Sequence, residues 1–363
     1  MVITRTPFRE SFFGGGTDYP GWYMENGGSV LSTAINKYCY ISIRYLPPFF
    51  EHRLRIVYSR IELCEKIEEI KHPSVRETLR FLNFDSGLEI HHDGDLPARS
   101  GMGSSSSFTV GLLHALYGLQ GKLVNKNRLA LESIHIEQNM IKETVGSQDQ
   151  AAAAHGGLNH IIFKKGGEIE VKPITLNKSR RSEFNSHLML FYTGIMRTAS
   201  DVAETYVNDI KDKGELLNAM NELVEEGISI LFGNKSISKF GELLHETWTL
   251  KRKLSSKVSN TFVDDIYQKA RENGAIGGKI SGAGGGGVML FFVPPKDQIR
   301  VREALRDFIH IPFKLESSGS QIIFYDPGKE NYNDAETYGT KRKINSFTEL
   351  NEIEKKIRDS ACI

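Results

Sequence analysis

Residues 95–108 read DLPARSGMGSSSSF, after which the apolar positions continue at helical spacing through Leu112, Leu113 and Leu116. Serine favours a helix N-cap, so a helix is expected over 104–118, starting directly after Gly101 and Gly103. The first N–H groups of a helix lack partners within it and carry the positive end of its dipole. A Gly-Ser loop at that end suits a phosphate, and its hydroxyls can add hydrogen bonds or a Mg²⁺ ligand. The string G-x-x-x-x-G-K-[ST] occurs nowhere in the chain, which removes the main support for a P-loop NTPase fold.

Two more glycine-rich segments flank this one. Residues 279–293, KISGAGGGGVMLFFV, contain Gly282-x-Gly284-x-x-Gly287, a formal match to the dinucleotide fingerprint. That fingerprint needs a helix after its glycines, whereas VMLFFV reads as a buried strand closed by Pro294-Pro295. A turn that closes on a ligand or another backbone fits better, with an NAD-dependent enzyme as the rival. Residues 6–22, TPFRESFFGGGTDYPGW, join Arg9 to a glycine triplet and Thr17-Asp18, either a loop offered to a hydroxylated ligand or ordinary turn chemistry. Two acids follow. Glu137 falls inside a helix expected over 127–145 and ending at Gly146, and Asp149 falls just beyond it in GSQDQ. Taken alone, the first reads as a solvated surface group and the second as a turn residue.

Outside these loops, strands are expected at 27–45, 53–58, 87–92 and 158–163, with a helical stretch from about 60 to 84. Past a polar, basic stretch at 177–183, the segment HLMLFYTG reads as a buried strand and 199–270 as largely helical. A helix at 296–309 and a strand at 320–325 complete the second half. The fold class is α+β in two domains, 1–180 and 181–327, followed by a polar tail over 328–363. In that tail Ser346-x-x-Glu349 and the stripe Leu350, Ile353, Ile357 predict an amphipathic helix over 346–358 that packs on the body.

Composition narrows the partners. The 363 residues hold 46 Lys+Arg against 45 Asp+Glu, which leaves no global field to attract nucleic acid or an anionic membrane. No apolar run approaches the roughly 18 residues of a membrane span, and MVITRTPFRE lacks the apolar core of a signal peptide. Cys39, Cys64 and Cys362 are scattered, with no C-x-x-C. A cytoplasmic protein acting on a small molecule is the expectation, and the oligomeric state, a homodimer included, stays open.

The three loops, in this order over about residues 1–326, resemble those of the GHMP kinases, the small-molecule kinases that include galactokinase, homoserine kinase and mevalonate kinase. The matching residues are Pro7-Phe8-Arg9 with Gly14-Gly15-Gly16-Thr17-Asp18-Tyr19, then Pro97 before Gly101-Met102-Gly103-Ser104-Ser105, then Ser281 to Gly287. The resemblance implies an N-terminal domain like ribosomal protein S5, a ferredoxin-like C-terminal α/β domain, and ATP and Mg²⁺ as cofactors. Galactokinases carry Gly-Glu-His-Thr-Asp where this chain has Gly14-Gly15-Gly16-Thr17-Asp18, so galactose is a poor guess. The wording GGGTD, LPARSGMGSSSS, Gln-Asp-Gln and Tyr192-Thr193-Gly194-x-x-Arg197 is most similar to the branch that phosphorylates the anomeric hydroxyl of D-glycero-α-D-manno-heptose 7-phosphate for surface polysaccharide synthesis. Fucokinase-like sugar 1-kinases share much of it.

Carried over by position, the resemblance gives the ATP phosphates to Pro97, Arg99, Ser100, Gly101, Met102, Gly103, Ser104, Ser105, Ser106 and Ser107. Mg²⁺ falls to Ser105 and Glu137, with Ser104 the competing hydroxyl. Asp149 would orient or accept the acceptor proton, and Arg9 would stabilise charge on the γ-phosphoryl group. Thr17 and Asp18 would meet sugar hydroxyls, Gly282, Ala283 and Gly284 would shape the substrate side, and Arg99 and Arg197 are candidates for the 7-phosphate. A non-catalytic sugar and ATP sensor is the alternative of another class, against which the presence of Arg9, Glu137 and Asp149 counts.

Overall fold

A computed structural model describes residues 1–47, 50–195, 199–233 and 235–326. The tail over 328–363, its expected helix over 346–358, and Arg197 lie outside the described residues. Among those described, no helix is long and apolar enough to cross a membrane.

The strands are β1 (Val2–Phe13), β2 (Gly28–Tyr45), β3 (Leu54–Val57), β4 (Ile61–Cys64), β5 (Leu88–Gly94), β6 (Leu158–Phe163), β7 (Ile169–Pro173), β8 (Leu188–Tyr192), β9 (Gly277–Ile280), β10 (Val288–Phe292), β11 (Ile309–Ile311), β12 (Leu315–Glu316) and β13 (Gln321–Tyr325). The first sheet is built on β2, whose 18 residues are long enough to pair with β1, β5, β6 and β12 in turn. The second sheet has the order β11-β8-β10-β9 and is antiparallel throughout.

The Ser104–Leu119 helix lies across β1 and β2 and is buried on nearly all sides, as its apolar sequence requires. Its approach to the sheet depends on Gly111, where a Cβ would stand 2.8 Å from Thr6 Oγ1. Thr4 Oγ1 donates to the Gly111 carbonyl at 2.9 Å, which fixes the helix to β1 from below. Leu112, Leu113 and Leu116 are fully buried, and truncating any of them to Ala would cost about 2–5 kcal/mol. The two halves of the chain share a cluster of edge-to-face rings. Phe12 and Phe13 of β1 meet Phe240 at centroid distances of 5.4 and 4.8 Å, and Phe184 meets Phe240 at 4.8 Å.

Several elements depart from the sequence expectation, and residues 6–13, expected within a loop, are the second half of β1. Residues 60–84 are not continuously helical, because 61–64 alternate exposed and buried as β4 and the helix covers only Pro73–Phe81. The helix expected over 127–145 runs from Lys126 to His135, widens into a π-helical turn over Ile136–Ile141, and stops at Lys142 with φ 64°. A further helix, Gln148–His155, went unread because its run of four alanines has no amphipathic period. Finally, the 320–325 strand does not complete the second half: β13 pairs with β1, and β12 pairs with β2. The chain therefore leaves the first sheet after β7 and comes back at β12. The outgoing and returning segments touch, with Arg181 NH2 donating to the Leu315 carbonyl at 3.0 Å and Leu315 N donating to Asn185 Oδ1 at 2.9 Å.

Candidate active site

The three glycine-rich loops meet around a cavity of about 700 Å³. On one side Gly101 and Gly103, at φ 84° and 73°, turn the chain into the Ser104–Leu119 helix, whose N-terminus has no side-chain cap. Arg99, Gly101, Gly103, Ser104, Ser105 and Ser106 line this part. The other members of the expected phosphate set do not. Pro97 is exposed outside the cavity, Met102 is fully buried in the core, and Ser107 donates its hydroxyl to the Pro7 carbonyl at 2.9 Å. Ser100 lies under the third loop, its carbonyl accepting from Val288 N at 3.0 Å.

The third loop joins β9 to β10 as an antiparallel hairpin, so strands flank its glycines on both sides and the dinucleotide reading fails. The loop sits directly on the first, since a Cβ at Gly287 would lie 2.2 Å from the Ser100 carbonyl oxygen and one at Gly282 2.7 Å from that of Gly101. Gly282 and Ala283 line the cavity, while Gly284 packs away from it against Val258.

Asp149 is not a turn residue: it stands in the first turn of the Gln148–His155 helix, at the cavity wall. Its two oxygens accept from Arg9 Nε at 2.6 Å and Arg9 NH2 at 2.7 Å, a bidentate pair. Arg9 NH1 donates to the Gly101 carbonyl at 2.8 Å, tying the acid to the phosphate loop. Burial of Arg9 works against its charge, but Asp149 outweighs that and holds the guanidinium pKa above its ordinary value.

Glu137 is fully buried. Its Oε2 accepts from Ser106 Oγ at 2.8 Å and from Gln150 Nε2 at 2.5 Å, while Oε1 has no partner. Burial, with Glu143 adding repulsion, pushes its carboxyl pKa up to about 7. Ser105, the expected metal hydroxyl, is exposed at the cavity wall, and it is its neighbour Ser106 that the helix turns onto Glu137. A buried carboxylate with one unpartnered oxygen beside a hydroxyl fits Mg²⁺, which takes one or two protein carboxylates and completes its shell with phosphate and water. Among the described residues no group of three or more His, Cys, Asp or Glu side chains could hold a metal unaided.

Thr17 departs from its expected role. It is fully buried, and its hydroxyl donates to the carbonyls of Gly14 and Ser29 at 2.9 and 3.0 Å, holding the glycine turn instead of facing the cavity. Asp18 does line the cavity, although both its oxygens are engaged, Oδ1 by Gly16 N and Oδ2 by Gln148 Nε2, each at 2.9 Å. Burial raises its carboxyl pKa, and Asp149 adds to the effect.

Sequence reasoning missed Ser11, Gln148, Gln150 and the Lys279–Glu10–Ser281 group. Lys279 lines the cavity, donates to the Ser11 carbonyl and stands 3.9 Å from Glu10 Oε1, and Ser281 Oγ donates to Glu10 Oε2 at 2.5 Å. Burial lowers the Lys279 pKa to about 8. These buried polar contacts join β1 to the third loop. The only signal for them was a lysine and an acid within apolar strands, where burial demands a partner.

The model of the GHMP kinases N terminal domain matches residues 66–157, and that of the GHMP kinases C terminal region matches 202–311. The chain is 30% identical over 317 residues to the D-glycero-alpha-D-manno-heptose 7-phosphate kinase of Campylobacter jejuni, covering 84% of this chain and 93% of that protein. It is 24% identical over 334 residues to the bifunctional fucokinase/GDP-fucose pyrophosphorylase of Arabidopsis thaliana, 85% of this chain but 31% of that relative. The crystal structure of a D-glycero-D-manno-heptose 1-phosphate kinase from Bacteroides thetaiotaomicron shares the fold at a TM-score of 0.74, with 22% identity over 90% of this chain and 100% of that one. With both halves matched and a relative of that extent, the chain belongs to the GHMP kinases, as an ATP-dependent sugar kinase of that family.

Proposed function

We propose that the protein transfers the γ-phosphoryl group of ATP to the anomeric hydroxyl of a heptose 7-phosphate. The observation that carries the reading is the bidentate Arg9–Asp149 pair, which stands between the phosphate loop and the Thr17-Asp18 loop in one cavity. Its likeness to the heptose 7-phosphate kinase of Campylobacter jejuni supports the acceptor.

Phosphoryl transfer passes through a loose transition state, so the protein contributes position and charge more than covalent chemistry. The N–H groups at the start of the Ser104–Leu119 helix hold the phosphates, and the loop over Gly282 and Ala283 closes over them. Glu137, with the Ser106 hydroxyl beside it, would hold Mg²⁺, which when bound supplies countercharge to the β- and γ-phosphates. Asp149 accepts a hydrogen bond from the sugar hydroxyl and aims it, while its ion pair with Arg9 fixes the carboxylate and keeps a cation next to the transferring group. Arg99, at φ 62° on the cavity rim, is the described candidate for the 7-phosphate.

ADP release measured with Mg-ATP across heptose 7-phosphate, hexoses, fucose, homoserine and mevalonate tests the assignment, and phosphorus NMR of the product reports whether C1 carries the new ester. Highest kcat/KM on heptose 7-phosphate is expected. Preference for fucose would favour the fucokinase-like reading that the Arabidopsis thaliana relative supports. Activity confined to homoserine or mevalonate would end both.

A further inference from the structure

We propose that Ser11 and Gln148 form the subsite that recognises a hydroxyl of the acceptor, with Gly15 as its floor. The inference rests on the acceptor lying beside Asp149. Ser11 follows Arg9 by two residues on β1 and so shares its face of the strand. It is 4% exposed, its Oγ has no hydrogen-bond partner, and it lines the cavity. Its backbone is fixed by Lys279, which donates to the Ser11 carbonyl.

Gln148 approaches the same space from the Gln148–His155 helix. Its Nε2 donates to Asp18 Oδ2 at 2.9 Å, and this orients the amide so that Oε1 is left as a buried acceptor without a partner. Asp18, held in turn by Gly16 N, is thereby a positioning residue that fixes the amide. The two side chains converge on Gly15, where a Cβ would lie 3.9 Å from both Ser11 Oγ and Gln148 Nε2 and nearer to nothing else. Gly15 is not among the residues of positive φ, so its lack of a side chain keeps space open there and answers no backbone demand.

The chemistry selects the ligand. Leaving a buried donor or acceptor unpaired costs about 1–3 kcal/mol, so two such atoms on side chains that meet over Gly15 in the cavity lining call for a partner. A hydroxyl is donor and acceptor at once and satisfies a serine and an amide oxygen together. A phosphate has no proton to give the amide oxygen and would face Asp18 and Asp149. The subsite therefore takes a neutral ring hydroxyl near the reacting one, and the phosphate of the acceptor lies elsewhere.

Steady-state kinetics of Ser11→Ala and Gly15→Ala test this, varying sugar and ATP separately. Ser11→Ala should raise the sugar KM about fivefold, the loss of one hydrogen bond, and Gly15→Ala, which puts a methyl in the subsite, at least about tenfold. The ATP KM should stay within about twofold in both, and wild-type discrimination against one monodeoxy acceptor should shrink in Ser11→Ala by about the factor its KM rises. A sugar KM within about twofold of wild type in either variant, an ATP KM rising in parallel, or unchanged discrimination across all monodeoxy analogues overturns the proposal. If the wild type turns over only a different sugar, the heptose assignment falls, and the same ratios measured on that sugar still decide the subsite.

Discussion

Two carboxylates stand beside the phosphate loop, Glu137 fully buried and Asp149 partly exposed, and the protein treats them in opposite ways. Asp149 is matched by its own cation, with two short bonds from Arg9. Glu137 is met by neutral hydroxyl and amide groups, with bonds from Ser106 and Gln150 to Oε2 and Thr109 close by, and burial pushes its carboxyl pKa up to about 7. The first is complete before any substrate arrives, which suits a group whose task is to aim a hydroxyl. The second has no cation of its own and would receive its countercharge from a bound Mg²⁺. One helix turn supports both, because Gln148, Asp149 and Gln150 meet Asp18, Arg9 and Glu137 in succession.

The contrast can be broken most directly at Asp149. Asp149→Asn keeps the shape but loses the charge, and turnover should fall by at least about two orders of magnitude while ATP affinity, read by equilibrium dialysis, is retained. Turnover near that of wild type would remove Asp149 from the chemistry. At Arg9 the effect falls on the fold as well. Arg9→Met leaves Asp149 without its cation, and urea unfolding should show a loss of about 3 kcal/mol. Arg9→Lys should recover only part of it, because an ammonium cannot reproduce the two-pronged geometry.

Glu137→Gln should act in the opposite sense on stability. The folded-state pKa of about 7 lies above the ordinary 4.5, so the folded protein holds this proton longer than the unfolded chain does. The contribution is full below about pH 4.5 and is lost as pH rises through 7. The glutamine, always neutral, should therefore melt higher than wild type at pH 8, by on the order of 3 kcal/mol, with the two converging near pH 4. Kinase activity and Mn²⁺ binding should drop in the same variant. Equal melting temperatures at pH 8 would mean that Glu137 already has a countercharge. The smallest effect separates neighbouring serines: Ser105→Ala should leave the activation constant for Mg²⁺ within about twofold, whereas Ser106→Ala should raise it, as loss of a hydroxyl held on the metal carboxylate would.

What the sequence disclosed followed from periodicity and from glycine. The long β2, the Ser104–Leu119 helix and the strand after the third loop were legible because apolar spacing and loop glycines are local signals. Residue roles set by long-range register were not. Nothing local shows that Thr17 faces the Ser29 carbonyl or that Ser106, in a run of four serines, is the one turned toward Glu137. The π-helical turn at 136–141 shifts which side chains face inward, so an α-helical reading of that segment misplaces them. β13 is legible as a strand, but its return from the second half to pair with β1 is not, since a strand's partner is a property of topology.

That return of the chain to the first sheet has a mechanical consequence. The segment carrying the third loop is tethered at both ends, and its two tethers are joined to each other through Arg181, Asn185 and Leu315. With Lys279 and Ser281 also bonded to Ser11 and Glu10 of β1, and Val288 N to the Ser100 carbonyl, the loop over Gly282 is held in register above the phosphate loop by its chain ends and by its own contacts together.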